Sequence, residues 1–312
     1  MKNSYAIILD ASCDFSSALR TRFEIEGCLK GHLTTPESTD SPATNELTDA
    51  ELEVFYASLK KNKDKYKTSP SSVEEIVSYY ETFLLNGQDV LAISMSSTLS
   101  VSYNLMLAAK KIALEKYPER KICAVDSMKY SIPIGLLAVK AAQLRAEGRS
   151  LEQNAEMLDK IKKTIHQMGS VDDLFWVASK GRISHAKAFF GTVAGVKSMG
   201  DFDADGMVTP IAKVSGYKKA YKATVEYVKK TIVSPSEQIV FVAHSARKEQ
   251  ADILASLIRE RIKPKEVIVA SIQPMSGINI GPGLFAAYYL GAEITDLSRE
   301  KEILNDIIAN KL

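Results

Sequence analysis

Residues 89–127 read DVLAISMSSTLSVSYNLMLAAKKIALEKYPERKICAVDS, in which two apolar segments enclose a loop of hydroxyl side chains and a helix-like segment. The apolar segments, 89–95 and 121–127, have the length and composition of buried parallel strands. The segment between them repeats its apolar residues at helical spacing until Pro118 closes it. The order of strand, loop, helix and strand is typical of an α/β protein with a parallel sheet.

The residues on either side of this unit extend the pattern. YAIILDAS at 5–12 predicts another buried strand, and IPIGLLAVKAAQLRAEGRS predicts a helix that begins near Pro133 and ends at Gly148. SLEQNAEMLDKIKKTIHQM predicts a further amphipathic helix. The stretch HLTTPESTDSPATNELT at 32–48, rich in Ser, Thr and Pro, predicts a surface loop that ends in a helix capping box.

Beyond residue 169 the pattern changes to shorter strands and turns mixed with helices. We predict strands in LFWVAS, MVTPIAKVS, EQIVFVAHS, VIVASI and AEITDL, and helices in KAYKATVEYVKK, QADILASLIRERI and the apolar segment after Gly283. The predicted fold class is therefore α/β in two domains. Residues 1–168 form a parallel-sheet α/β domain, and residues 169–312 form a two-layer α+β domain.

The composition limits the possible functions. The 312 residues are 46% hydrophobic and 25% charged, as in globular proteins with sizeable cores. The 40 basic residues nearly balance the 38 acidic ones, and no segment concentrates them among aromatic residues, so no nucleic-acid partner is predicted. The first apolar run is too short for a signal peptide or a membrane span, which predicts a cytoplasmic protein. The cysteines and histidines lack CxxC, HxH and HxxxH spacing, so we expect neither a metal nor another cofactor.

The loop SSTLS follows a predicted parallel strand and leads directly into a helix. Ligands of open α/β sheets bind at the carboxyl ends of the strands, and the free N–H groups of a helix start favour an anion there. Ser and Thr hydroxyls donate hydrogen bonds to an anion without adding charge. The alternative is that Ser97, Thr98 or Ser100 simply caps the helix.

A second hydroxyl-rich stretch, KTSPSSVEEI at 67–76, also precedes a predicted helix. Ser72 and Glu75 have the spacing of a capping box, which accounts for part of it. Thr68 and Ser69 lie before that cap and are not explained by it. We therefore predict that two hydroxyl loops meet around the head of one anionic ligand.

Other motifs give weaker signals. SKGRIS, at 179–184, predicts a Gly-Arg turn between a strand and a helix. SGINIGPGLFAAYYLG matches GxGxxA formally, but the acidic residue of a dinucleotide-binding unit is missing at the required distance, so it predicts a loop of close backbone approach. The chain contains no Walker loop, GxSxG elbow or HExxH motif, and the adjacency of His244 and Ser245 does not make a catalytic triad.

Short motifs occur along the chain in a characteristic order: DASCDFS, KTSPS, ISMSSTLSVSY, AVDSMKYSIPIGLLAVKAAQLRAEGRSLEQ, SKGRIS, VSGYKKA, VAHS and SGINIGPG. Their order and spacing resemble those of the DegV family over roughly residues 5–291. The resemblance implies a long-chain fatty acid bound between two α/β domains, in a protein without catalysis of its own. It also implies a carrier that presents the fatty acid to a separate fatty acid kinase subunit.

The resemblance further implies which residues bind the ligand. Thr68, Ser96 and Ser97 are the expected carboxylate ligands, with Arg182 facing the same cleft. The full predicted fatty-acid-binding set is Thr68, Ser69, Ser96, Ser97, Thr98, Arg182, Asn279 and Gly281. Two motifs depart from the family: its SGTY reads SVSY at 100–103, and its HTGPG reads NIGPG at 279–283, which puts Asn279 in the histidine position.

Physical chemistry agrees with a lipid acid as the ligand. Each hydrogen bond to a charged group contributes about 1.5 to 3 kcal/mol, and a tail of roughly fourteen methylenes at about 0.8 kcal/mol each contributes about 11 kcal/mol before ordering costs. The alternative is a serine-dependent acyl hydrolase or transferase, in which Ser97 attacks with His32, His185 or His244 as its base. A third interpretation is a regulatory protein with an empty cleft.

Overall fold

The computed structural model describes residues 5–183 and 195–311 of the chain. They belong to two units. Unit 1 consists of Met1–Glu46, Asp64–Lys162 and Pro274–Ser276, and unit 2 consists of Leu47–Lys63, Lys163–Gln273 and Gly277–Leu312. The domain boundary between residues 168 and 169 stays a prediction.

The strands are, in chain order, β1 (Tyr5–Leu9), β2 (Gly27–Cys28), β3 (His32–Thr34), β4 (Ser41–Pro42), β5 (Lys67–Ser69), β6 (Asp89–Ser94), β7 (Ile122–Asp126), β8 (Ile165–Val171), β9 (Val196–Phe202), β10 (Val208–Ser215), β11 (Ile239–His244), β12 (Glu266–Ser271) and β13 (Phe285–Leu290). The α-helices are α1 (Ser17–Arg22), α2 (Asp49–Lys61), α3 (Val73–Leu84), α4 (Ser102–Lys116), α5 (Ile132–Ala146), α6 (Leu151–Ile161), α7 (Leu174–Ser179), α8 (Gly216–Thr231), α9 (Lys248–Arg261), α10 (Pro274–Ile280) and α11 (Ser298–Lys311).

Unit 1 is built on a parallel sheet of four strands in the order β2-β1-β6-β7. Every residue of β1 is buried, as is almost all of β6, which is why both read as unbroken apolar runs. The strands predicted at 5–12, 89–95 and 121–127 are thereby confirmed. A parallel sheet brings the carboxyl ends of its strands to one edge, so the loops after β1, β6 and β7 share that edge.

A second, antiparallel sheet of three short strands, in the order β4-β3-β5, corrects one prediction in unit 1. The stretch 32–48 was expected to be a surface loop, yet it contains β3 and β4. Both strands are too short for their alternation to show in a sequence rich in Ser, Thr and Pro. The KTSPS stretch likewise begins with a strand, β5, and not with a loop.

Helix α3 of unit 1 begins at its predicted capping signal. Ser72 accepts a hydrogen bond from the N–H of Glu75, whose carboxylate accepts from the N–H of Ser72, which confirms the predicted capping box of α3. Helix α5 has residues 132–139 buried on every side, so its apolar run shows no amphipathic period. Gly135 lets it approach a neighbour closely, because a Cβ atom there would lie 2.1 Å from the ring of Phe15.

Unit 2 is built on a mixed sheet of six strands in the order β10-β9-β8-β13-β11-β12. Strands β11 and β12 are parallel, and the other neighbours are antiparallel. The predicted helices α8 and α9 and the predicted strands β10, β11 and β12 are present. The parallel sheet of unit 1 and the mixed sheet of unit 2 confirm the predicted α/β fold class.

Three segments of unit 2 differ from prediction. LFWVAS is helix α7, because Asp173 caps it by accepting a hydrogen bond from the N–H of Trp176. The apolar segment after Gly283 is strand β13, which lies between β8 and β11 and is buried on both faces. AEITDL forms no strand and leads into α11, where Asp296 accepts from the N–H of Ser298. A short apolar run without a period fits a buried strand and a helix equally well.

The helix predicted to run through KKTIHQM ends earlier. Helix α6 stops at Ile161, and the chain then enters strand β8 at Ile165. His166 and Gln167 are both buried in that strand, so polar residues there do not mark a solvent-facing helix side. A polar side chain inside a strand is accommodated by tertiary hydrogen bonds, which a one-dimensional pattern does not reveal.

Candidate functional site

The loop that follows β6 lies at the carboxyl edge of the parallel sheet, between the loops that follow β1 and β7. The backbone N–H of Ser96 donates to the carbonyl of Lys129 at 2.7 Å. The N–H of Ser97 donates to Oδ1 of Asp126 at 3.2 Å, and that same oxygen accepts from the N–H of Met128 at 2.9 Å. Two hydrogen bonds donated by backbone N–H groups therefore fix Ser96 and Ser97 against the end of β7 and the loop that follows it.

Helix α4 begins directly after this loop, at Ser102. The N-cap residue of α4 is Val101, whose side chain accepts no hydrogen bond. Ser100 makes a local contact, since its Oγ accepts from the N–H of Ser102 at 3.2 Å. Of the three residues proposed as helix caps, Ser100 therefore bonds the first N–H of α4, whereas neither Ser97 nor Thr98 is its N-cap residue.

Ser96 differs from its neighbours in burial. It is 0% exposed, and its hydroxyl has no hydrogen-bond partner among the residues that the structure describes. Ser97 and Thr98 are exposed. An unpaired buried hydroxyl opposes folding by about 1 to 3 kcal/mol, so Ser96 has a free hydrogen-bonding capacity at the edge where α/β proteins bind ligands.

The rest of the edge is dense in hydroxyls and carboxylates. Asp10 accepts from both the N–H and the Oγ of Ser12 at 2.8 Å, after β1. Ser131, after β7, donates to a carboxylate oxygen of Asp14. Lys129, on the same loop, is 2% exposed. The sequence pattern did not single out this lysine, although a Lys within an apolar and hydroxyl-rich run was a visible signal.

Thr68 and Ser69 lie on β5, in the same unit. Thr68 pairs with Leu33 and Ser69 pairs with His32 across the small sheet. Thr68 is half-buried and Ser69 is exposed. The side chain of His32 holds this region to α3, since its Nε2 lies 3.0 Å from the carboxylate oxygens of Glu75.

The remaining predicted ligands belong to unit 2. Arg182 is exposed, and its guanidinium donates to the carbonyl of Lys180. It follows helix α7 rather than the strand expected from the sequence. Asn279 is half-buried near the end of α10, and Gly281 ends that helix with a φ of 77°. The segment from Ser184 onward, up to residue 194, lies outside the described residues.

His32, His166 and His244 lie in the part of the chain that the structure describes, and another group contacts a ring nitrogen of each. Of the four, His32 is the one in unit 1, and both of its ring nitrogens contact carboxylates, Asp40 at 2.8 Å and Glu75 at 3.0 Å. The hydrogen bond to Glu75 raises the pKa of His32, which favours the protonated ring and disfavours a general base. In unit 2, burial lowers the pKa of His244, whose Nε2 lies 3.3 Å from Ser271 Oγ. His185 lies outside the described residues.

Within residues 5–183 and 195–311, no three or more His, Cys, Asp or Glu side chains are grouped so that they could hold a metal ion. In the same part of the chain, no helix combines the length and the apolar character needed to cross a bilayer.

The protein is an α/β protein with one parallel sheet and one mixed sheet. Loops rich in hydroxyl side chains lie at the carboxyl edge of the parallel sheet, which is the edge where α/β proteins bind ligands. The family model "Uncharacterised protein, DegV family" matches residues 4–291. The chain belongs to the DegV family, as the resemblance of its motifs implied. A DegV domain-containing protein of Clostridium perfringens is 33% identical over 224 residues, which cover 72% of this chain and 77% of the relative.

Solved structures share the fold. DegV of Bacillus subtilis, described as a fatty acid binding protein, is 25% identical with a TM-score of 0.77, covering 93% of this chain and 100% of that one. A DegV family protein of Thermus thermophilus, described by its fatty acid binding, is 21% identical with a TM-score of 0.80 over 93% and 100%. A stearic acid-binding protein of Eubacterium ventriosum is 22% identical with a TM-score of 0.80 over 92% and 98%.

Proposed function

We propose that the protein binds a long-chain fatty acid and holds its carboxylate with the hydroxyl residues at the carboxyl edge of the unit 1 sheet. The observation that carries this proposal is the Ser96 hydroxyl, which is buried and unpaired among the described residues, in a loop at the carboxyl edge of the parallel sheet. Membership of the DegV family supports the ligand class, because relatives with this fold are described as fatty acid binding proteins.

The head group needs several donors, since a buried carboxylate is stable only when it is hydrogen-bonded. Ser96 and Ser97 supply adjacent hydroxyls, and Thr68 supplies a third from the small sheet. Each such bond to a charged group contributes about 1.5 to 3 kcal/mol.

The protein acts as a carrier without catalysis of its own, and it presents the bound acid to a separate kinase subunit. The engagement of both His32 ring nitrogens with carboxylates supports the absence of catalysis in unit 1. We expect Ser97 to resist a fluorophosphonate probe completely. A stoichiometric adduct on Ser97 would contradict the carrier interpretation and support a serine-dependent hydrolase, with a histidine from another part of the chain as its base. The cytoplasmic location stays a prediction.

The test is native mass spectrometry of the protein purified without added lipid, followed by denaturing extraction. A fatty acid at near one molecule per chain supports the proposal, and an empty protein that also refuses added palmitate and oleate overturns it. The Ser97→Ala variant should bind palmitate about 10-fold to 100-fold more weakly, because one bond to the carboxylate is lost. Ser78→Ala, at an exposed serine of α3, is the matched control and should bind like the wild type.

A further inference from the structure

Strands β11 and β12 form a parallel pair in the sheet of unit 2, and helix α9 connects them. His244 and Ser271 are the last residues of these two strands and are direct neighbours in the pairing. In α/β sheets, ligands bind where parallel strands end and the connecting helix begins. Unit 2 therefore has a ligand-type edge of its own, in addition to the edge of unit 1 on which the proposed function depends.

A cavity of about 230 Å³ lies at this edge. Its wall consists of the end of β11, the start of α9 and one side of α2, all of which belong to unit 2. Pockets that hold drug-sized ligands measure about 300 to 1,000 Å³, so this cavity suits a ligand of only a few heavy atoms.

His244 lines the cavity and has a ring nitrogen without a partner. The residue is 4% exposed, and its Nδ1 makes no hydrogen bond to any residue that the structure describes. A buried polar atom that stays unpaired opposes folding by about 1 to 3 kcal/mol. The unpaired nitrogen is therefore a reason to look for a ligand that completes it.

The neighbours of His244 determine which kind of group Nδ1 needs. The Ser271 hydroxyl donates to Oδ1 of Asp49 at 2.5 Å, so the Ser271 oxygen can only accept from Nε2 of His244, 3.3 Å away. Burial lowers the pKa of His244, which keeps its ring neutral. A neutral ring with its proton on Nε2 has a lone pair on Nδ1. Nδ1 is thus an acceptor that lacks a donor.

The carboxylates of the cavity wall are Asp49 and Glu53 on α2 and Glu249 on α9. In the described part of the chain none of them pairs with a Lys or Arg side chain, and the nearest basic group is the neutral ring of His244, 4.0 Å from Asp49. Glu249 lies in the first turn of α9, where the helix dipole favours a carboxylate. The start of α9 therefore does not make the cavity a site for an anion.

The two cations of the wall are already paired with carboxylates that lie outside it. The Arg247 guanidinium contacts Asp172 at 2.5 Å, and the Lys248 ammonium contacts Asp252 at 2.8 Å. The charge that remains unbalanced around the cavity is therefore negative. A negative site favours a cation, and it does so most where the surroundings are partly shielded from water.

We propose that this cavity binds a small organic cation with N–H groups, namely the ammonium group of an aliphatic amine. The ammonium donates one hydrogen bond to Nδ1 of His244, and the carboxylates of Asp49 and Glu53 balance its charge. An ammonium ion is both a donor and a cation, so it meets the two requirements of the site at once.

The first test is isothermal titration calorimetry of the full chain with three four-carbon compounds: 1,4-diaminobutane, the neutral 1,4-butanediol and the anionic succinate. The wild type should bind 1,4-diaminobutane at least about tenfold more tightly than either of the others. No binding of 1,4-diaminobutane, or binding of butanediol or succinate that is equally tight or tighter, overturns the inference.

Two substitutions locate the binding. Glu53→Gln removes an exposed carboxylate of the wall and should weaken 1,4-diaminobutane binding about 3-fold to 10-fold. His244→Gln keeps an N–H donor for Ser271 but removes the Nδ1 acceptor, so it should weaken binding about tenfold. Glu260→Gln, which removes an exposed carboxylate of α9 outside the cavity, is the matched control and should bind like the wild type.

Unchanged affinity in both Glu53→Gln and His244→Gln overturns the inference, as does an equal loss in the Glu260→Gln control. If His244→Gln does not fold, Glu249→Gln replaces it, because Glu249 is an exposed carboxylate of the wall and should show the same 3-fold to 10-fold loss as Glu53→Gln.

Nitrogen NMR of the His244 ring tests the hydrogen bond itself. The free protein should show a neutral ring with its proton on Nε2, and 1,4-diaminobutane should shift the Nδ1 resonance. A proton on Nδ1, or an Nδ1 resonance that the amine leaves unchanged, overturns the inference. None of these measurements involves a fatty acid, so they decide the amine site whether or not the proposed function holds.

Discussion

Replacing Ser96 by alanine should stabilise the lipid-free protein and weaken its binding of palmitate. The backbone of Ser96 is fully paired, because its N–H donates to Lys129 at 2.7 Å and its carbonyl accepts from Leu99 at 3.0 Å. The substitution therefore changes only the hydroxyl, which is 0% exposed and has no partner in the described part of the chain. Removing an unpaired buried hydroxyl relieves a desolvation cost of about 1 to 3 kcal/mol, less the few dispersion contacts of one atom.

We expect the free energy of unfolding of the lipid-free Ser96→Ala protein to rise by about 1 kcal/mol in urea titrations at an unchanged m value. Its dissociation constant for palmitate, measured by isothermal titration calorimetry, should rise about 10-fold to 100-fold, because one hydrogen bond to a carboxylate is lost. Ser78→Ala serves as the control for both measurements. A loss of stability, or an affinity within about threefold of the wild type, would refute the assignment of the Ser96 hydroxyl to the ligand.

Two further predictions concern unit 2. Gly281→Ala should destabilise the protein by about 2 to 4 kcal/mol in urea titrations, because its backbone angles belong to glycine alone and the new Cβ would meet the ring of Trp176. Gly148 has a φ of 84° and open space around it, so Gly148→Ala should cost about 1 kcal/mol. Equal losses of stability in the two variants would contradict the close packing at Gly281. Burial disfavours protonation of His166, but Asp201, 2.7 Å from Nδ1, outweighs it and raises the pKa of the ring. The stability that this pair contributes should therefore be complete below the unfolded pKa of about 6.5 and should decline as pH rises through the folded pKa. The difference in the free energy of unfolding between the wild type and His166→Gln should accordingly shrink from pH 6 to pH 9. A difference that stays constant over this range would refute the pairing.

Local signals account for the parts of the fold that the sequence predicted. The capping box of Ser72 and Glu75 and the buried runs of β1 and β6 depend on residues that are neighbours in the chain. Strand β13 was mistaken for a helix because a segment buried on both faces has no period to display. The N-cap of α7 was present in the sequence as Asp173, but the apolar run after it outweighed that signal.

The candidate site was likewise predictable only in part. The hydroxyl loop of residues 96–98 was predictable, since its position after a parallel strand follows from local pattern and topology. The distinction between Ser96 and Ser97 was not, because it depends on which hydroxyl the tertiary structure buries. The bonds of Ser245 join it to Gly281, 36 positions away, and nothing in the VAHS motif indicates that pairing.

Ser96 and Ser245 are two buried serines whose hydroxyl groups differ in their hydrogen bonds. Both are completely buried near the end of a strand, yet the Ser245 hydroxyl has two backbone partners and the Ser96 hydroxyl has none among the described residues. Alanine should therefore lower the free energy of unfolding at Ser245 and raise it at Ser96, and we expect weaker palmitate binding at Ser96. A protein retains an unpaired buried hydroxyl against its own stability, so a higher free energy of unfolding together with weaker palmitate binding in Ser96→Ala would mark Ser96 as a residue that touches the ligand.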